Sequence, residues 1–105
     1  MATYADNVYN WLKRKGLADK YEKAGIYCIK IDSRIVYIGK SRNMLIRIAH
    51  HYANIKIGKE RKYRILAEAE RRGHSINFDV LYYATARGSA AIEQEIGEKE
   101  GEYIR

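Results

Sequence analysis

Arg47 and His51 stand four residues apart, a spacing that places a guanidinium and an imidazole on one face of a helix. A guanidinium presents a fixed fork of donors matched to phosphate oxygens, so the pair suits gripping a phosphate with an imidazole beside it. Tyr27 and Tyr37 add two phenols ten residues apart. A free phenol has a pKa near 10, so only about one in a thousand is ionised at pH 7 and neither is a strong base unaided. The chemistry these four suit is phosphodiester cleavage, which needs a deprotonated water, charge stabilisation at the phosphoryl oxygens and help for the leaving oxygen.

Charge points to the same class of partner. Twenty Lys and Arg against thirteen Asp and Glu give a formal charge of +7, which favours polyanions through counterion release. Arg61, Lys62, Arg64, Arg71 and Arg72 load one predicted helix, Lys56 and Lys59 lie just before it, and Arg42 follows the second tyrosine. Together they form a candidate phosphate-tracking face for DNA, partly balanced by Glu68 and Glu70. No set of residues predicts base readout.

The elements that must position these groups follow from periodicity. Val8, Trp11 and Leu12 give an amphipathic helix over Asp6 to Lys15 that Gly16 is placed to stop. Two strand-like runs, Gly25 to Ile31 and Arg34 to Gly39, read as a hairpin around the polar Asp32-Ser33-Arg34 region. Leu45, Ile48, Ala49 and Tyr52 define a helix from Asn43 to about Ile55, with Ser41 or Asn43 as its N-cap. A further helix spans Glu60 to Arg72, with Tyr63, Leu66 and Ala67 inward and Gly73 at its C-terminal stop. Ile76 to Tyr83 is a third strand, and Ser89 can cap a last helix in which Ile92, Ile96 and Tyr103 face the core.

The expected fold is therefore α/β (α+β), a small three-stranded, mainly antiparallel sheet flanked by helices in the order αββααβα. At 105 residues the chain has room for one core and one site. Its single cysteine, Cys28, excludes an internal disulfide framework and any multi-cysteine zinc site. No apolar run approaches the roughly 20 residues of a membrane span, and the first residues lack the order of a signal peptide. The expectation is a soluble, intracellular protein with no membrane partner.

A two-residue side-chain period makes the hairpin a geometric test. Tyr27 and Tyr37 share a sheet face only if opposed residue numbers sum to an even value, as when Ile31 opposes Ile35 across a three-residue loop. A two-residue loop would separate them.

Gly25-Ile26-Tyr27 and Tyr37-Ile38-Gly39 are the two tripeptides that name the GIY-YIG nuclease family, and the chain resembles that family from about Gly25 to Arg105. Either tripeptide arises by chance roughly once in ten thousand positions. Lys40-Ser41-Arg42-Asn43, then Arg47 and His51, are similar to the family's polar turn and its helix bearing Arg and His. Residues 1–24 then form an N-terminal helical extension and residues 25–105 a GIY-YIG nuclease-like domain, one structural domain together.

The resemblance implies a metal-dependent DNA endonuclease using one Mg²⁺ (or Mn²⁺) ion. It implies that Tyr27 helps to deprotonate or orient the attacking water, with Lys40, Arg47 and a metal-bound water lowering the cost of phenolate character. Tyr37 would position water or phosphate. Glu100-Gly101-Glu102-Tyr103-Ile104-Arg105 resembles the family's late-helix pattern and favours Glu100 as metal ligand, with Glu93, preceded by Ala90-Ala91-Ile92, as the alternative. Two helical turns, about 10 Å along the axis, separate these glutamates, too far for one ion to take both directly.

Family members usually continue into a Pro-containing segment ending in an Asn that supports the site. This sequence ends at Arg105, and Asn54 and Asn77 are not at the matching position. That departure keeps a second expectation open, a catalytically weak or inactive GIY-YIG-derived nucleic-acid-binding module.

Overall fold

Five consecutive buried residues, Gly25 to Ile29, can be accommodated only in a strand covered on both faces, and that strand takes the centre of the sheet. The computed structural model describes residues 4–57 and 60–104. Its helices are α1 (Tyr4–Arg14), α2 (Ala18–Tyr21), α3 (Met44–Ile57), α4 (Arg61–Arg71) and α5 (Ser89–Ile104). Its strands, β1 (Gly25–Ile31), β2 (Arg34–Ser41) and β3 (Ile76–Tyr83), pair antiparallel in the order β2-β1-β3. The element order is the expected one with the four-residue α2 added.

Register assigns the two sheet faces. Tyr27 opposes Gly39 on β2 and Val80 on β3, whereas Ile26 opposes Lys40 and Tyr82. Val80 and Phe78 pack against a core cluster of Leu12, Tyr21, Leu45, Ile48 and Ala49, so α1, α2 and α3 cover the face that bears Tyr27. Ile29 continues this layer with Ile55, Tyr63 and Leu66, which brings in α4. The other face meets α5, because the Tyr82 hydroxyl bonds Glu95 and the Lys40 ammonium lies against Gly97.

The first helices are thus continuous with the core that α3 forms on the sheet rather than appended to it. Trp11, expected inward beside Val8 and Leu12, is 46% exposed. It lies at the rim of that face, where the Lys15 ammonium sits 5.0 Å from its ring centre. Tyr103 is likewise outside the core, and its hydroxyl donates to the Leu81 carbonyl at 3.1 Å, so the ring spans the rim with its polar end satisfied.

Helix ends follow local chemistry. Asn43, rather than Ser41, caps α3, its side-chain oxygen accepting from the Ile46 amide at 3.3 Å while Ser41 Oγ accepts from the Asn43 amide at 3.0 Å. Gly73, at φ 89°, ends α4 with bonds from its own amide to the Glu70 carbonyl and from the His74 amide to the Ala69 carbonyl, both 3.0 Å. Ser89 is the first residue of α5 and not its cap, since the Gly88 carbonyl accepts the first helical bond from the Ile92 amide at 3.0 Å. No helix among the described residues is long and apolar enough to cross a membrane.

The hairpin differs from the expected loop. Ile31 opposes Arg34, so the connection is the two-residue Asp32-Ser33, with Asp32 at φ 57° as the tight primed turns of hairpins require. The register then shifts between Ile29 and Lys30, where Val36 is the extra residue of a β-bulge. Ile31 and Arg34 sum to an odd number, Ile29 and Tyr37 to an even one. The bulge supplies the parity that the short loop removes.

Candidate active site

The two outer glycines of the tripeptides are required by close approach. A Cβ on Gly39 would lie 2.6 Å from both Cζ and Oη of Tyr27 and 3.0 Å from Cε1 of Tyr37, so the bare backbone there is the floor on which the Tyr27 phenol rests. A Cβ on Gly25 would lie 2.1 Å from the Tyr82 carbonyl oxygen, where β3 crosses close to the start of β1.

Above that floor Tyr27 and Tyr37 share a face, ring centres 6.3 Å apart. His51, from the middle of α3, is fully buried, and its Nε2 lies 2.7 Å from the Tyr27 hydroxyl. Its Nδ1 lies 2.8 Å from the hydroxyl of Tyr63 on α4, giving an unbroken buried chain Tyr27, His51, Tyr63. The His51 and Tyr37 ring centres are 5.5 Å apart, edge to face. Lys62 roofs the cluster, its ammonium 4.3 Å from the Tyr37 ring centre and 4.7 Å from that of Tyr63.

Arg47, one helical turn before His51, is exposed and places its guanidinium beside the Tyr27 hydroxyl. Burial, and then the neighbouring Tyr37, push the Tyr27 phenol up to about 12, against the pull of Arg47. Burial also depresses His51 to about 3, reinforced by the positive charges of Lys62 and Arg47. Burial works against the Arg47 charge, but Tyr27 and the other hydroxyls beside it outweigh that and raise its pKa. At neutral pH the site therefore holds a neutral phenol and a neutral imidazole under a cationic guanidinium.

Tyr27, Tyr37, Arg47 and His51 are brought together; Lys40 is not. It opposes Ile26 on the α5 face, and its Nζ lies 3.6 Å from where a Cβ on Gly97 would stand. A lysine on that side of the sheet does not lower the cost of phenolate character at Tyr27. Glu93 lies on α5 with its carboxylate 3.1 Å from Nε of Arg42, the residue after β2. Glu100, seven residues on, is half-buried. No group of three or more His, Cys, Asp or Glu side chains among the described residues is placed to hold a metal ion.

Of the basic set, Arg61 and Arg64 are exposed on α4 and Lys62 is drawn into the aromatic cluster. Arg71 and Arg72 are both tied to Glu68, Arg72 at 3.0 Å, which reduces what they offer a phosphate. Lys59 and the side chain of Lys56 lie outside the described residues.

Two working residues escape sequence reading. Tyr63 reads as core by its spacing, and the available signal was chemical: a tyrosine in a buried position needs a partner for its hydroxyl. Glu95 accepts from the backbone amides of Thr85 at 3.0 Å and Ala86 at 2.8 Å and from the Tyr82 hydroxyl, fixing the turn between β3 and α5. Those bonds, led by Tyr82, hold its carboxyl down at about 2. No spacing rule marks it.

In comparison with known proteins, no protein-family model, no curated protein and no solved structure matches the chain.

Proposed function

We propose that this chain is a metal-dependent DNA endonuclease of the GIY-YIG kind, hydrolysing phosphodiester bonds. The observation that carries the reading is the convergence of Tyr27, Tyr37, Arg47 and His51, from two strands and a helix, on one sheet face. Arg47 takes the phosphate. Its guanidinium covers the Tyr27 hydroxyl at rest, so a phosphate that draws those donors outward uncovers the phenol. Tyr27, neutral and held by His51, then orients the attacking water, while Tyr37 lines the approach.

The donor chemistry suits Mg²⁺ or Mn²⁺ in a restricted sense, since a site made of one carboxylate, phosphate oxygens and waters needs no protein cluster. Both glutamates belong to α5, which like Lys40 lies across the sheet from Tyr27, so a carboxylate there reaches a phosphate held by Arg47 only past the sheet edge. Glu93 is the better candidate, being tied to Arg42 beside the turn between the strand that carries Tyr37 and the helix that carries Arg47, whereas Glu100 lies two turns further along α5. When bound, the ion supplies an acidified water and charge neutralisation at the phosphoryl oxygens. The exposed Arg61 and Arg64 extend a basic track for the DNA backbone.

The complete burial of Tyr27 favours a second reading, a DNA-binding module of the same descent without turnover. Nicking of supercoiled plasmid with Mg²⁺, and its loss on adding EDTA, is the expected outcome. Salt-sensitive binding with no nicking in Mg²⁺ or Mn²⁺ rejects the nuclease and leaves the module.

A further inference from the structure

We infer that Tyr63, on α4 and outside both tripeptides, is a positioning residue: its hydroxyl donates to His51 Nδ1 and so fixes which nitrogen of His51 carries the proton. The role assigned to it in cleavage rests on the nuclease reading above; the proton assignment does not.

A neutral imidazole has one N–H donor and one bare nitrogen, and here each nitrogen faces a tyrosine hydroxyl, Nε2 that of Tyr27 at 2.7 Å and Nδ1 that of Tyr63 at 2.8 Å. One tyrosine must donate to the ring and the other must accept from it. Tyr63 is 5% exposed and packs among Ile29, Ile55 and Leu66. Among the described residues His51 is the hydrogen-bond partner of its hydroxyl.

Were the proton on Nδ1, Tyr63 would accept it and its own O–H would have no acceptor among the described residues. A buried donor without an acceptor is the costlier arrangement. Tyr63 therefore donates to Nδ1, and Nε2–H donates to Tyr27.

The other end of the chain accepts this assignment. The Tyr27 hydroxyl is flanked by Arg47, which can only donate, and by Tyr37, whose hydroxyl can accept. With Nε2–H and Arg47 both directed at its oxygen, the Tyr27 proton turns away from His51, toward the Tyr37 hydroxyl. The opposite tautomer would draw the Tyr27 proton inward onto Nε2. The cationic groups facing His51, Lys62 and Arg47, both favour the neutral ring.

Long-range ¹H–¹⁵N correlation spectra of the uniformly labelled chain at neutral pH, without DNA, read the tautomer directly. The expected pattern for His51 is a protonated Nε2 and an unprotonated, hydrogen-bonded Nδ1. In Tyr63→Phe the Nδ1 resonance moves downfield as it loses its donor, and plasmid nicking slows about tenfold, the worth of one such hydrogen bond, with DNA affinity unchanged. A wild-type ring protonated on Nδ1 overturns the proposal, as does a Tyr63→Phe spectrum with Nδ1 unmoved. If Tyr63→Phe does not fold, the wild-type spectrum decides alone. The expected spectra in a protein that cuts no DNA would uphold the tautomer and reject the nuclease.

Discussion

Tyr27 and Tyr37 face the same side of the sheet, 6.3 Å between ring centres, because one extra residue, Val36, compensates for a loop one residue short. Parity is set by the bulge and the turn together. Deleting Val36 should therefore leave Tyr37 opposite Ile29 and preserve nuclear Overhauser contacts between the two phenols. Deleting Ile38 instead moves Tyr37 opposite Cys28, onto the α5 face, and should abolish them. Contacts that survive the second deletion but not the first would show that the register is held elsewhere.

Gly39 and Gly101 should respond in opposite directions to alanine. At Gly39 the added methyl meets Tyr27 at 2.6 Å, a clash with a buried ring that costs about 1–3 kcal/mol. At Gly101 nothing lies within 4 Å, and alanine in the helix should stabilise by about 1 kcal/mol. Urea midpoints of the two variants against the parent measure both; a tolerated Gly39→Ala would contradict the packing of Tyr27 on that strand.

Acid should weaken the fold before its carboxylates protonate. His51 titrates near 3 in the folded chain and about 6.5 when unfolded, so between those values only the unfolded chain takes up the proton. Stability falls with pH in that window, by about 1.5 kcal/mol from pH 6.5 to pH 5. His51→Gln should flatten the slope there. At the alkaline end the sign reverses: Tyr27, pushed up to about 12, ionises first in the unfolded chain, so stability declines as pH rises above 10. A parent protein equally stable at pH 5 and 6.5 would contradict the burial of a neutral His51.

Glu93→Gln should abolish Mg²⁺-dependent nicking, while Glu100→Gln should stay within about threefold of the parent, the scale of an ordinary surface change. The reverse pattern would return the ligand to the position that the late-helix resemblance favours.

The parts of this molecule legible in its sequence are those set by local chemistry. Asn43 caps α3 and Gly73 stops α4 because their side chain and backbone conformation serve the nearest few residues. The Gly, Ile and Tyr pattern of the hairpin located the phenols. What escaped depends on residues distant in the chain. The bulge at Val36 is a compromise between turn geometry and the burial of Tyr37, neither of which a run of alternating residues records. Tyr63 meets His51 only because α4 folds back over α3, and Lys40 leaves the site because its neighbour Gly39 faces the other way. Trp11 and Tyr103 have core-like spacing, yet both are exposed.

Single-turnover cleavage of a duplex by the parent and by Tyr27→Phe, with DNA binding measured on the same samples, tests the central claim most directly. The expected result is equal affinity and a cleavage rate lower by about 10²-fold or more, the range for losing a positioned catalytic group. Equal cleavage rates at equal affinity would contradict a site built around Tyr27.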